Sequence, residues 1–322
     1  MKNSTDSTQS TKLYALLLKL RPLERGTIMP FSGELVHGAW MNWLREVAPD
    51  VAQQLHEGNK RRPFTCSSLQ FPYAQDRILQ AQKENVHLPL DPEKTYTVRL
   101  TLLDGQLFPL LYTIIMGKNE LAARTTPRPF MQIGKQSFLL EEVISHDDDP
   151  SGWTGFTTCE YLVEQVKTKR LIPDQPLKME FASLTTFNRV RYSVGRHGNH
   201  YARLPLPSYV FGGLAIRWQE IVPPALKQVV QPEQIQNFIE TEGVVIDDYQ
   251  LQTHRAHFAQ YIQPGFIGSC QYLLRGPDDR PTAESPLTLR QQILLLSWFA
   301  FYAGVGYKST MGMGQTRAVE SR

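Results

Sequence analysis

Gly304-Val305-Gly306-Tyr307-Lys308-Ser309-Thr310-Met311-Gly312-Met313-Gly314 sets two Gly-x-Gly units around a Lys-Ser centre, close to the end of a 322-residue chain. Glycine lets a backbone approach a phosphate closely, and successive amide N–H groups can cradle one. Lys308 and Ser309 add a charge and a hydroxyl. A plain turn would also use glycine, but four glycines at these spacings around a cation favour binding. The apolar run Leu287 to Ala303 just before the segment reads as a long helix, and Gln315 to Val319 just after it reads as a closing strand. A nucleotide-binding fingerprint needs the opposite order, strand before the glycines and helix after. That reading fails.

Further upstream, Leu177 to Thr186 is a predicted strand, Ser208 to Trp218 opens a helix, and Val244 to Gln252 and Ile267 to Arg275 are strands. With the terminal helix and strand, the order is β-α-β-β-α-β, the split βαβ arrangement. The first half repeats it. Lys12 to Arg21 is an apolar strand closed by Pro22, and Leu35, Ala39, Leu44 and Val47 share one side of a helix. A short helix from Asp50 to His56, stopped by Gly58, follows Pro49. Pro63 to Leu69 and Tyr96 to Leu103 are strands, Leu107 to Met116 is a compact helix, and Ser137 to Ser145 closes the unit. The acidic stretch His146–Gly152, rich in turn formers, is the linker. The expected class is therefore α+β, with ferredoxin-like (RRM-like) units in tandem at 11–146 and 153–322. Each sheet would leave one face open, as RNA-binding domains of this shape use it.

Net charge is +3 with a pI near 8.6, too mild alone to mark a nucleic-acid protein. The cations are clustered, however. Lys60, Arg61 and Arg62 form one group; Arg189, Arg191, Arg196 and Arg203 form another, in a second basic loop threaded with His197, His200, Tyr192 and Tyr201. Basic residues interleaved with aromatics suit a polyanion whose bases can stack. Cys66, Cys159 and Cys270 are odd in number and far apart, so no zinc motif or disulfide framework is expected. That usage fits a reducing cytoplasm. Leu13 to Leu20, broken by Lys19, is too short for a membrane helix.

The pattern GxGxxxxxGxG at the C-terminus resembles the glycine-rich loop of the repeat-associated RNA-processing (RAMP) superfamily. Within it, the chain resembles the CRISPR-associated endoribonucleases that cut precursor CRISPR RNA, the sixth Cas family. Gly33-Glu34-Leu35-Val36-His37-Gly38-Ala39-Trp40, then Leu55-His56, then Pro63-Phe64-Thr65 before a serine pair, are similar to that family's first domain. Leu204 to Trp218 looks like the opening helix of its second.

The resemblance implies cleavage of repeat RNA by attack of its own 2′-hydroxyl, leaving a 5′-hydroxyl on one fragment and a 2′,3′-cyclic phosphate on the other. Such chemistry needs an oriented attack, a proton acceptor, a proton donor and stabilised phosphate charge. Histidine titrates near neutral pH and suits both proton roles. His37 on the first helix and His56 at the end of the next lie on elements that meet around Pro49, beside Lys60–Arg62. The family's catalytic positions match His37, His56 and this basic cluster, with Lys60 and Arg62 as its candidates. The expected RNA contacts are Gly304, Gly306, Lys308, Ser309, Gly312 and Gly314 with Arg189, Arg191 and Arg196. No metal or other cofactor is expected. The implied partners are CRISPR precursor RNA and other Cas effector subunits, with no membrane, and the chain itself as monomer or homodimer. A non-catalytic subunit that binds guide RNA in an effector complex is the alternative, and it would lack converging histidines.

Other candidates read more plainly. His87, His146, His254 and His257 are structural or solvated; His254 and His257, placed on a helix or loop, imitate a metal pair without a third ligand. Asp147, Asp148 and Asp149 are a solvated linker run, and Trp40, Trp43 and Trp298 are core.

Overall fold

A computed structural model of the protein describes residues 11–58, 61–117, 129–146, 149–193, 196–276, 281 and 285–319, without the side chains of 189–200. Strand β1 (Lys12–Pro22) is followed by β2 (Gly26–Ile28), α1 (Gly33–Val47), α2 (Pro49–Glu57), β3 (Phe64–Cys66), α3 (Gln75–Glu84), β4 (Leu88–Leu90) and β5 (Tyr96–Leu102). Helix α4 (Leu107–Met116), β6 (Phe130–Ile133) and β7 (Gln136–Ile144) complete the first unit. Its sheet runs β3-β5-β1-β7-β6, so the strands of the split βαβ core stand in the order second, third, first, fourth. Leu16, Leu18 and Leu20 of β1 face one side of the sheet with Val98, Leu100 and Leu102 of β5, and all are buried. Helix α1 covers them with Val36, Ala39, Trp40, Trp43 and Leu44, a stripe at three-and-four spacing turned from the side read in the sequence: Leu35 is exposed and Val47 half-buried. Pro49, at the first position of α2, ends α1 and turns the chain. Trp40 and Trp43 are core, as expected, and the indole nitrogen of Trp43 donates to the carbonyl of Phe130 at 2.8 Å.

Next in the chain, β8 (Gly155–Thr158) pairs with β1 and so joins the first sheet, and α5 (Cys159–Lys167) leads to β9 (Gln175–Thr185). The hairpin β10 (Phe187–Ser193) and β11 (Arg196–Ala202) precedes α6 (Pro207–Ile221), α7 (Pro224–Lys227) and α8 (Pro232–Glu240). Long strands β12 (Val244–His257) and β13 (Ile262–Leu274), α9 (Leu289–Ala303) and β14 (Thr316–Val319) follow. This sheet runs β12-β13-β9-β14, the same order as the first. Both units are thus ferredoxin-like. Helix α9 starts on a capping box between Thr288 and Gln291. Its apolar side, with Ile293, Leu296, Phe299 and Ala300, fills the second core. The histidines read as lying on a helix or loop, His254 and His257, instead sit on β12. Three residues apart on a strand, they point to opposite faces.

The open-face expectation holds for one sheet. On the second, Lys178 and Ala182 are exposed, and the register sets Ser269 and Gln271 of β13 beside Glu180 and Lys178 of β9. These residues are small or polar, with no aromatic ring to stack a base. On the first sheet, the far face is covered at one end and leaves Lys19 and Arg21 part-exposed at the other. Leu13, Ala15 and Leu103 are buried in the core of the second unit. Arg99 and Thr101 of β5 reach the C-terminal turn of α9, where Arg99 Nη2 donates to the carbonyl of Phe301 at 2.8 Å and Thr101 Oγ1 to that of Tyr302 at 2.7 Å. These carbonyls end a helix and have no partner within it. The Arg99 Nε donates to Trp153 at 2.7 Å, and its guanidinium lies 4.5 Å from the ring centre of Phe301. Burial holds this arginine down at about 9. It is a cation set against the negative end of a helix.

Candidate active site

The glycine-rich segment is the joint between the two units. All four of its glycines have positive φ, from 66° at Gly304 to 88° at Gly312. Gly312 donates its amide to the carbonyl of Cys66 at 3.0 Å and bridges Ser67 in parallel. A Cβ on Gly312 would stand 2.6 Å from Ser68 Oγ and 2.9 Å from the Cα of Gly33. A Cβ on Gly33, at the start of α1, would stand 2.2 Å from the carbonyl oxygen of Met311. Here glycine serves the close approach of two backbones of the same chain. The short 3₁₀ turn Ser309–Met311 sits between.

This docking carries Thr310 onto α1, where its carbonyl oxygen lies 3.0 Å from His37 Nδ1. The His37 ring stacks on Phe64, with centres 5.6 Å apart, and is 9% exposed. Burial holds its pKa down at about 4, assisted by the charges of Arg62, His56 and Lys308, while the carbonyl of Thr310 acts the other way. Neutral imidazole has one N–H, and a carbonyl can only accept, so Nδ1 carries the hydrogen and Nε2 keeps its lone pair.

His56 is exposed in the last turn of α2. Arg62 Nε donates to the carbonyl of Leu55 at 3.0 Å, which keeps the guanidinium on that turn. Arg61 turns toward α6, 3.8 Å from Glu220. Arg217, also on α6 and 5% exposed, donates to the carbonyl of Arg62 at 2.7 Å and fixes the backbone there. Lys60 lies outside the described residues. The structure therefore brings together His37, His56, Arg62 and the glycine-rich segment, from both units.

A cleft of about 1190 Å³ opens beside this cluster, reaching Arg62 and the glycine-rich segment but lined by neither His37 nor His56. Arg61 and Arg62 line one side, Tyr209 and Gly213 of α6 another, and the whole run from Gly304 to Met311 a third. Among the described residues, the amides of Ser309 and Thr310 meet no protein acceptor. Gly312 and Gly314 face inward instead. Lys308 is in left-handed conformation, with φ of 57°. Its ammonium lies 4.3 Å from the ring centre of Phe258 and 4.7 Å from that of Tyr261, and burial lowers its pKa. The second basic cluster, read as a loop, is the hairpin β10–β11; the base of β10, Phe187 and Asn188, lines the cleft. The side chains of Arg189, Arg191 and Arg196 lie outside what is described.

Sequence reasoning missed the Thr310 carbonyl and the aromatic box around Lys308. A main-chain oxygen has no residue type to announce it, and Phe258 and Tyr261 sit some fifty residues from Lys308 in the chain. Among the described residues, no group of three or more His, Cys, Asp or Glu is placed to hold a metal ion. No described helix is long and apolar enough to cross a membrane.

Two family models match. The CRISPR Cas6 N-terminal domain matches residues 13–163, and the CRISPR-associated endoribonuclease Cas6 matches residues 179–316. No curated protein matches the chain. Among solved structures, a Thermus thermophilus Cas6 in a product complex is 25% identical, with TM-score 0.68 over 95% of this chain and 100% of that one. A Cas6-related protein from Pyrococcus furiosus is 11% identical, with TM-score 0.56 over 96% of this chain and 100% of that one. A RAMP protein binding different RNA substrates is 13% identical, with TM-score 0.54 over 95% and 100%. With both of its halves matched in order, the chain belongs to the Cas6 family of CRISPR-associated endoribonucleases.

Proposed function

We propose that this protein cleaves CRISPR repeat RNA without a metal ion, with His37 as general base and His56 as general acid. The observation that carries this is the hydrogen bond from His37 Nδ1 to Thr310, which leaves Nε2 as an acceptor at neutral pH. The 2′-hydroxyl proton passes to Nε2 as the 2′-oxygen forms its bond to phosphorus. The bond to the 5′-oxygen breaks, and His56 protonates that oxygen. The products are a 5′-hydroxyl and a 2′,3′-cyclic phosphate, and no cofactor enters the balance. Arg62, beside His56, is the side chain best set to stabilise phosphate charge; Lys60 precedes it in the same run.

In this reading residues 11–146 supply the proton-transfer groups, and residues 153–322 supply the grip on the RNA. Ser309 and the free amides of the 3₁₀ turn meet the backbone, and Gly304 and Gly306 shape the cleft wall. Lys308 contributes charge from within its aromatic box, Gly312 and Gly314 hold the loop in place, and Arg189, Arg191 and Arg196 extend the basic surface. Mature guide RNA would pass to other Cas effector subunits in the cytoplasm. Single-turnover cleavage of the host repeat RNA, with and without EDTA, tests the reading. Cutting should persist in chelator and vanish when the nucleotide 5′ of the scissile phosphate lacks its 2′-hydroxyl. Cleavage that needs the divalent ion and ignores the 2′-deoxy substitution would overturn it, and binding without cleavage would favour a guide-RNA-holding subunit.

A further inference from the structure

Thr310 and Met311 face the cleft, but Gly312 and Gln315 face a second cavity of about 330 Å³. That volume lies within the roughly 300–1,000 Å³ of small-ligand sites. Both units wall it, with Ser68 after β3, Ala182 on β9 and Arg255 on β12. Two of the residues that line it each bury a polar atom without a partner. Gln315 is 6% exposed and its Nε2 donates to nothing; the Oγ of Ser68 is buried and likewise unpaired. A buried donor without an acceptor is costly to keep, and a bound acceptor would remove that cost.

The remaining surface narrows the chemistry. Phe31, Phe71 and Tyr73 add aromatic rings to the lining, the face of Tyr73 already holding Arg77 at 4.2 Å and Lys94 at 4.8 Å from its centre, and Gln70 adds an amide. No carboxylate lines it, and Arg255 is exposed at its edge with no ion pair among the described residues. A flat, neutral group with hydrogen-bonding edges and an attached negative charge fits such a site. We infer that this cavity is a nucleobase pocket, with Gln315 and Ser68 reading the base edge and Arg255 meeting the attached phosphate. The base belongs either to the RNA strand as it crosses the joint or to a free nucleotide. The first source rests on the reading of the chain as an RNA-processing enzyme; the second does not.

Two variants test it without touching the proton-transfer groups. Ala182→Phe, at an exposed position of β9, fills the cavity, and Gln315→Met keeps the side-chain length but removes the amide. Each of the four nucleoside 5′-monophosphates is titrated against the full chain by saturation-transfer NMR. At least one should give a signal that Ala182→Phe abolishes and His37→Ala retains. In parallel, repeat RNAs with a single abasic site stepped along the strand are bound to wild type and variants. One position should weaken wild-type binding about tenfold, and have no effect in Ala182→Phe. A monophosphate signal alone assigns the pocket to a free nucleotide, and an abasic effect alone assigns it to the strand; either supports a base site. No signal in the first arm, with unchanged affinity in both variants in the second, overturns the proposal. Failure of wild type to bind repeat RNA at all would instead strike the proposed function, leaving the monophosphate arm to decide the pocket.

Discussion

His37 and Thr310, 273 residues apart in the chain, are joined by a 3.0 Å hydrogen bond across the boundary between the two ferredoxin-like units. The contact fixes which ring nitrogen bears the proton. It also makes the geometry of the candidate base depend on the docking of the opposite unit.

His37→Ala and His56→Ala should each slow single-turnover cleavage by about 10²–10⁴-fold, the usual cost of losing a positioned acid or base. RNA affinity should stay within about twofold of wild type in a filter-binding assay. Both variants cutting at wild-type rate would place the proton transfers elsewhere.

The rate should hold steady as pH falls below the ordinary histidine range, and drop only toward pH 4, where His37 takes up its proton. Stability follows the same group. Its pKa is lower in the folded chain than in the unfolded one, so the unfolded state binds the extra proton first. The stabilisation is complete above about pH 6.5 and is lost as pH falls through about 4, a span on the order of 3 kcal/mol. Urea unfolding at pH 7 and pH 4.5 should show that loss in wild type, and His37→Gln should flatten it.

Gly312→Ala should lower the melting temperature, since the added Cβ meets Ser68 and Gly33 at 2.6 and 2.9 Å in a conformation with φ of 88°. The expected cost exceeds 1 kcal/mol. Gly38→Ala is the control. Nothing lies within 4 Å of a Cβ there, in the middle of α1, so the helix should gain about 0.5–1 kcal/mol. Equal effects of the two substitutions in calorimetry would count against the joint.

Lys308→Ala should cost about 1–2 kcal/mol through loss of its contacts with Phe258 and Tyr261. If it also meets phosphate, the slope of log affinity against log salt should fall by roughly 0.7–0.9. An unchanged slope with a lowered melting temperature would leave Lys308 as a brace for the loop.

Arg99→Met should destabilise the chain by about 2–5 kcal/mol, because it strands the carbonyls of Trp153 and Phe301 in a buried place. Chemical denaturation measures this directly. A loss under 1 kcal/mol would mean water replaces the guanidinium.

Much of this was legible from the residues. The alternation in Tyr96–Leu102 and the stripe in Gly33–Val47 gave their elements, and Pro49 marked the turn that sets His56 near His37. Elements with weak patterns were not legible. Helix α3, Gln75–Glu84, has one buried residue, Ala81, and thus no apolar stripe to read. Strand β8, Gly155–Thr158, is four residues long and owes its state to pairing with β1. The hairpin β10–β11 reads as a loop because its second strand, Arg196–Ala202, carries Gly198 and Asn199 and shows no alternation, although Arg189-Val190-Arg191-Tyr192 does alternate. At the site, the residue types were readable and their partners were not. The glycines of the C-terminal segment suggested a phosphate cradle, and Gly312 turns out to press against Gly33. Sequence spacing gives no hint of that contact.

The Thr310–His37 bond also suggests a use for the protein as a reporter. A chain cut in the connection 168–174 would leave the candidate base on one fragment and its orienting carbonyl on the other. Arg99 and Thr101 would then have to find the end of α9 again before the imidazole regained its tautomer. RNA cutting by such a pair would behave as a logical AND, switched on only when both pieces occupy one assembly.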